Sequence, residues 1–297
     1  MSFIIPFIIL ITVVVFVHEY GHYYFAKRYG VGVTDFSIGF GKEIFGFNDK
    51  SGTRWKFCLI PLGGYVKFFG DRNVFSQAEQ AEILKKYNKS DQKRLFTIKP
   101  LYQRALIVFG GPFANFLLAI VIFSCIYMFV GKDFTPAKIA QVSVDSPAEK
   151  AGLQKNDVIV GINDNKVLSI REVSTFINTA SSNSIDITVL RNDSEIVFKT
   201  NSKFIESKDV FGNLVNKRII GISIAPATSE INQKKLGPVT AIYYSIKEVW
   251  FVSKTTLSYV GSLISGQADT SQLAGPIKIA KISGQVAEFG LLAFIST

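Results

Sequence analysis

Two long apolar runs decide what this 297-residue chain can be. Phe3 to Ala26 is apolar except around His18-Glu19-Tyr20-Gly21-His22, and Ala105 to Val130 holds no ionisable residue other than Cys125 and Tyr127. At ~1.5 Å per helical residue, each run reaches about 36 Å or more, enough to cross a hydrocarbon core of ~30 Å. A cleaved signal peptide would place basic residues before the first run and an Ala-x-Ala site after it, and neither is present. Residues 1–26 therefore read as a retained transmembrane helix and residues 105–130 as a second. Gly110-Gly111-Pro112 would break a helix in water but is tolerated where neighbouring helices satisfy the freed backbone.

The segments around these runs are of other kinds. In Ala241 to Ser265, apolar residues recur at helical spacing (Ile242, Ile246, Val249, Trp250, Leu257), but Lys247, Glu248 and Lys254 interrupt them. That pattern favours an amphipathic helix on the membrane surface over 237–266. The last apolar run, over 288–297, is too short to cross and reads as the start of a truncated third helix. Lys138 to Val142 and Ile185 to Val189 alternate as half-buried strands do. Ser76 to Lys99 is polar, a solvated helix and loop.

Charge sets the expected orientation. Residues 27–104 carry 15 Lys/Arg against 7 Asp/Glu, whereas residues 131–238 carry 14 against 12. By the positive-inside rule the first loop is cytoplasmic, and the N-terminus and the 131–227 region lie on the far side. The net charge of +10 would also suit a nucleic-acid binder, but no basic stripe interleaved with aromatics and no such module is found, so no nucleic acid is expected. Two cysteines, Cys58 and Cys125, with no CxxC pairing exclude a disulfide framework and argue against a cysteine zinc site.

His18, Glu19 and His22 form H-E-x-x-H. Helical residues at i and i+4 share a face, so both imidazoles can hold one zinc ion, with Glu19 placed as the catalytic base. These are the only two histidines in the chain. The plainer reading is a pair of interface histidines packed between helices. Against it stands the cost of a Glu between histidines inside an apolar helix, which marks such a residue as functional. His18 lies about 23 Å along the first run, so the site falls within the membrane, in its cytoplasmic third. A membrane segment is then the expected substrate.

With that motif in a first transmembrane helix, the chain resembles the site-2 protease family of intramembrane zinc metalloproteases, in the bacterial branch that includes the regulator-of-sigma-E protease. Phe40-Gly41 and Pro61-Leu62-Gly63-Gly64-Tyr65-Val66-Lys67 are similar to its glycine-rich re-entrant β-loop. Arg104 and Phe109-Gly110-Gly111-Pro112-Phe113-Ala114-Asn115-Phe116 are similar to its second-helix signature. Ser146 to Leu153 with Asp157 to Asn163 resembles its PDZ domain, and Leu273 to Ala280 the stretch before its third helix. The resemblance implies a multi-pass α-helical membrane protein with a re-entrant β-loop (36–70, within a cytoplasmic loop 27–104) and an inserted PDZ-like α/β domain (131–227). It places the protein in the bacterial inner membrane.

The implied activity is zinc-dependent cleavage of single-pass membrane proteins within the lipid bilayer, with anti-sigma-factor-like proteins or signal-peptide remnants as substrates. An extended substrate would add as a strand to the edge at Ile60–Phe69, where Gly63, Gly64, Tyr65 and Val66 are the candidate binding residues; a plain hairpin with a glycine bulge is the simpler reading. Asn115 is either a substrate-binding amide or a bond to another helix. The PDZ-like region would filter substrates or bind peptide. One departure matters: the family's third zinc ligand is an Asp in a Leu-Asp-Gly motif, and no Asp-Gly occurs here. The expectation is a fragment, a split-gene product or an inactive form, the alternative function being an inactive membrane-anchored PDZ adaptor. Nothing in the spacing supports Asp71 or Glu288 as a substitute ligand.

Overall fold

The computed structural model describes residues 4–70, 87–180, 182–208, 214–227, 232–264 and 275–288. Asp71, residues 76–86 of the polar segment 76–99 and the apolar run 289–297 lie outside these. The chain divides into two compact units, residues 1–121 with 276–297, and residues 122–275.

In the first unit, helix α1 (Ile4–Arg28) leads into strands β1 (Val33–Asn48) and β2 (Arg54–Phe68). A one-turn helix α2 (Lys89–Gln92), capped by Asn88, precedes the long helix α3 (Leu101–Phe129), and α7 (Pro276–Glu288) returns against α1. Both α1 and α3 are long and apolar enough to cross a membrane. Ile5, Ile9, Val108 and Val121 stand exposed on them. The sequence reading did not anticipate a helix at 276–288. Lys278, Lys281 and Gly284 break up the apolar pattern there, while Ser283 returns its hydroxyl to the Ile279 carbonyl (2.9 Å).

The two strands are longer than a simple hairpin needs because both bend. Residues 35–38 of β1 pair with Arg54–Phe57 and also with Gly64–Lys67, and residues 43–48 fold back onto the outer side of 54–58. The result is four short rows in the order 43–48, 54–58, 33–38, 64–68: the two outer pairs run antiparallel, the middle pair runs parallel, and 64–68 lies at an edge. The bends fall at Gly39 and Gly41 (φ 88° and 86°) and at Gly63 (φ 138°), conformations that a side chain would strain. Against α1 the sheet packs an aromatic cluster: Phe36 stacks on Trp55 at 4.1 Å, and Phe16 and Tyr23 each meet the Phe36 ring at 5.8 Å.

The turn between the strands is tied down by Asp49. Its carboxylate accepts from Tyr23 Oη (2.8 Å), Trp55 Nε1 (3.2 Å), and the backbone N–H groups of Ser51 (2.8 Å) and Thr53 (2.9 Å). Burial alone would raise this carboxyl, but the hydrogen bonds from Ser51, Thr53, Tyr23 and Trp55 outweigh it and hold Asp49 well below the usual carboxylate range. Its stabilisation is present at neutral pH and is lost only as pH falls through that depressed value.

The second unit contains a mixed domain in which β11 (Ile222–Pro226), β4 (Ala137–Val142), β5 (Val158–Ile162), β7 (Ser184–Arg191) and β8 (Ser194–Asn201) form one antiparallel sheet in that order, with β6 (Asn165–Lys166) on β5. The strands at 137–142 and 184–191 coincide with the alternating stretches, and Ile185, Ile187 and Val189 point into the core while Asp186 points out. Helix α4 (Pro147–Ala151) starts at Ser146, whose hydroxyl accepts from Glu149 N (3.2 Å), and stops at Gly152 in the left-handed region. Helix α5 (Ile170–Asn178) buries Val173, Phe176 and Ile177, an i, i+3, i+4 stripe, against the sheet. Short pairs β9–β10 (Lys203–Lys208, Leu214–Ile219) and β3–β12 (Lys132–Asp133, Gln233–Lys234) complete the unit.

Asp157 is nearly inaccessible and takes two hydrogen bonds from Arg191 (2.6 Å each) and one from Gln154 N (2.8 Å). Asp157→Ala would leave that N–H unpaired and strip the guanidinium of its carboxylate, though Arg191 Nη2 keeps its bond to the Gly152 carbonyl (2.9 Å). It is expected to destabilise this domain by about 1–3 kcal/mol, read as a fall in urea midpoint by pulse proteolysis; an unchanged midpoint would show the pair to be idle. Helix α6 (Pro238–Ile264) carries the charges that interrupt its apolar repeat, and one has a partner within the unit. Glu248 accepts from Lys132 Nζ (2.9 Å) and Tyr127 Oη (3.0 Å).

Candidate metal centre

The site begins with one turn of α1. His18 and His22, four residues apart, present their Nε2 atoms to each other at 3.2 Å. Two nitrogens each bound ~2.0–2.1 Å from one tetrahedral zinc stand about 3.3–3.4 Å apart, so this separation fits a shared ion. The space they face is kept clear by α3. A Cβ on Gly111 would fall on His22 Nε2 and within 2.7 Å of His18 Nε2, so only a residue without a side chain leaves both imidazoles room.

The same helix fixes the rings from behind. His22 Nδ1–H donates to the Ile107 carbonyl at 2.8 Å, which leaves its Nε2 lone pair for a metal. Asn115 brings its amide to 3.3 Å from His18 Nδ1. Pro112, between them, has no N–H to give Val108. Helices α1 and α3 approach closely because their contact is made of small residues. A Cβ on Gly21 would coincide with the Gly110 carbonyl and lie 2.8 Å from Ala114 Cβ. Gly110 and Ala114 are a small-xxx-small pair.

Glu19 faces the edge row of the sheet. Its side chain lies under Gly64, where a Cβ would meet Glu19 Cγ at 3.1 Å and Val15 Cγ1 at 2.8 Å, and its carboxylate lies against the backbone N–H of Val66. Of the other residues singled out in this strand, Gly63 makes the bend over the Phe40 ring, and Tyr65 stacks on Phe40 at 6.2 Å. His18, Glu19, His22, Asn115, Gly64 and Val66 thus come together around one point. Gly63 and Tyr65 stand one step away.

Among the described residues, no group of three or more His, Cys, Asp and Glu side chains stands together as a metal cage. Sequence reasoning missed Gly111, Gly21 and the Ile107 carbonyl. The signal for the glycines was present as Gly21 in the motif and Gly110-Gly111-x-x-Ala114. The carbonyl carries no sequence signal.

The second unit has its own concavity, about 150 Å³, between α5 and β11. Val173, Ile177, Ile220, Ile222 and Ile224 make it apolar, and the Arg218 guanidinium beside it is buried, donating to the Ser182 carbonyl and stacking on Phe204. The sequence had not located it.

Comparison with known proteins agrees with this chemistry. Residues 6–297 match the family described as peptidase family M50. A protein of Mesorhizobium japonicum named as a candidate zinc metalloprotease is 38% identical over 295 residues, covering 97% of this chain and 78% of that protein. A similarly named protein of Rickettsia conorii is 38% identical over 283 residues, 95% of this chain and 76% of the other. The metalloprotease MmpA of Caulobacter vibrioides is 32% identical over 290 residues, 95% and 72%. Among solved structures, the PDZ domain of an SdrC-like protein from Listeria monocytogenes covers 31% of this chain and 88% of its own, with 21% identity and a TM-score of 0.25.

Proposed function

Since the chain belongs to peptidase family M50, the site-2 protease family of metallopeptidases, we propose that it is a zinc-dependent endopeptidase that cuts transmembrane segments of single-pass proteins inside the bilayer. The observation that carries this reading is the convergence of His18 and His22 Nε2 beside Glu19 on a helix whose surface is otherwise apolar. His18 and His22 would hold the zinc. When bound, zinc polarises the scissile carbonyl and acidifies water. Glu19 takes the proton from the attacking water and returns it to the leaving amine.

A helical substrate cannot be cut while its carbonyls are hydrogen-bonded. The edge row 64–68, which lies against Glu19, is placed to pair an extended substrate. Val66→Pro removes that edge N–H together with its contact to Glu19, whereas Tyr65→Pro breaks the row and spares that contact; both are expected to slow cleavage roughly tenfold or more while leaving the fold of 132–227 intact. An unchanged rate in both Val66→Pro and Tyr65→Pro would reduce the strand to a structural role.

The PDZ-like region would select substrates through the apolar groove between α5 and β11. Charge in the loops supports an inner-membrane protein with its N-terminus and this region outside the cytoplasm. The test is to reconstitute the full-length protein in vesicles with a single-span reporter and map the cut by mass spectrometry. Cleavage inside the apolar segment, lost to a zinc chelator and regained with zinc, is expected. Cuts only in the flanking soluble parts would refute the intramembrane reading.

A further inference from the structure

The His18 ring has a neighbour whose orientation decides which of its nitrogens can bind a metal. Asn115 Nδ2 lies 3.3 Å from His18 Nδ1, while Asn115 Oδ1 is buried with no hydrogen-bond partner among the described residues. A buried carbonyl left without a donor costs about 1–3 kcal/mol. The two ends of an amide have the same shape, and the network decides which is which.

The two orientations have opposite consequences. With the NH2 group facing Nδ1, that nitrogen must accept, so the single proton of the neutral imidazole sits on Nε2 and is aimed at His22 Nε2, 3.2 Å away. No lone pair then remains at His18 Nε2. With Oδ1 facing Nδ1, the proton sits on Nδ1, the orphaned oxygen gains its donor, and the Nε2 lone pairs of both histidines converge. His22 already has the equivalent arrangement, because a backbone carbonyl can only accept and Ile107 therefore fixes its proton on Nδ1.

We propose that Asn115 is a positioning residue for the metal site: its Oδ1 accepts the Nδ1–H of His18 and so directs the Nε2 lone pair to the ion, as Ile107 does for His22. Helix α3 thereby supplies an acceptor behind each ligand, from positions eight residues apart. This rests on the zinc reading above and adds a role that substrate binding alone does not require of Asn115.

Zinc dissociation constants of the purified chain in detergent, by chelator competition, test it, with the cobalt absorption spectrum as a second readout. Asn115→Ala is expected to weaken zinc binding about 10–100-fold and to alter the cobalt spectrum. Asn115→Asp keeps an acceptor but no donor, and is expected to restore affinity to near the parent value. Unchanged affinity in Asn115→Ala, or equal loss in Asn115→Asp, would overturn the proposal while leaving the metal site standing, provided His22→Ala still abolishes uptake. No zinc uptake by the parent would overturn the metal reading, and this proposal with it.

Discussion

Glu19→Gln is expected to keep its zinc and to lose cleavage by about 10²–10⁴-fold or more, the range that general-base catalysis contributes. Glutamine matches glutamate in size, so the contact beneath Gly64 survives and an amide oxygen can still face the Val66 N–H. What it cannot do is take a proton from water. His22→Ala gives the contrasting result. It removes a ligand and leaves the Ile107 carbonyl without its donor, so zinc and activity should fall together. The measurements are zinc per chain by elemental analysis and cleavage of a single-span reporter by the same preparations. Cleavage retained by Glu19→Gln would remove Glu19 from the mechanism. Zinc lost from Glu19→Gln would instead recast that residue as a ligand.

The part of this site that could be read in advance is the part carried by one helix. An i, i+4 spacing is a property of adjacent residues, so His18 and His22 were legible as a pair and Glu19 as their neighbour. What surrounds them comes from 85 and 97 positions away, through Ile107 and Asn115. Of these, the carbonyl of Ile107 is invisible in a sequence because every residue has one. Asn115 was visible as a polar amide in an apolar run, but its partner was not.

The strands show the same division. Glycines at 63 and 64 indicated close backbone approach, and Gly64 is where α1 comes nearest. The interleaving of four rows could not be foreseen, because a period of two fixes which face a side chain takes and not which row lies beside it. In the second unit, Glu248 interrupted an apolar repeat and suggested a polar face. Its partners, Lys132 and Tyr127, lie more than a hundred residues earlier.

The second large effect is expected from adding one methyl group where α1 and α3 touch. At Gly21 the new carbon would meet backbone, the Gly110 carbonyl, with Ala114 Cβ at 2.8 Å behind it. No side chain there can swing aside, so the helices must part, a strain of about 1–3 kcal/mol for overpacking. Since the acceptors behind the histidines sit on α3, Gly21→Ala should lower both stability and zinc affinity. Gly111→Ala is more selective. Its methyl would press on both imidazoles, whose rings could rotate away only by giving up the hydrogen bonds at Ile107 and Asn115. Zinc affinity and cleavage should then drop at least about tenfold, the scale seen when the partners of metal ligands are lost, with little change in the denaturation midpoint. Gly261→Ala, in α6 with open space around it, is the control and should leave both unchanged. Chelator-competition affinities and denaturation midpoints for the three variants separate the cases. Full zinc affinity in Gly111→Ala would mean that the room Gly111 leaves beside His18 and His22 is not needed for them to hold the ion.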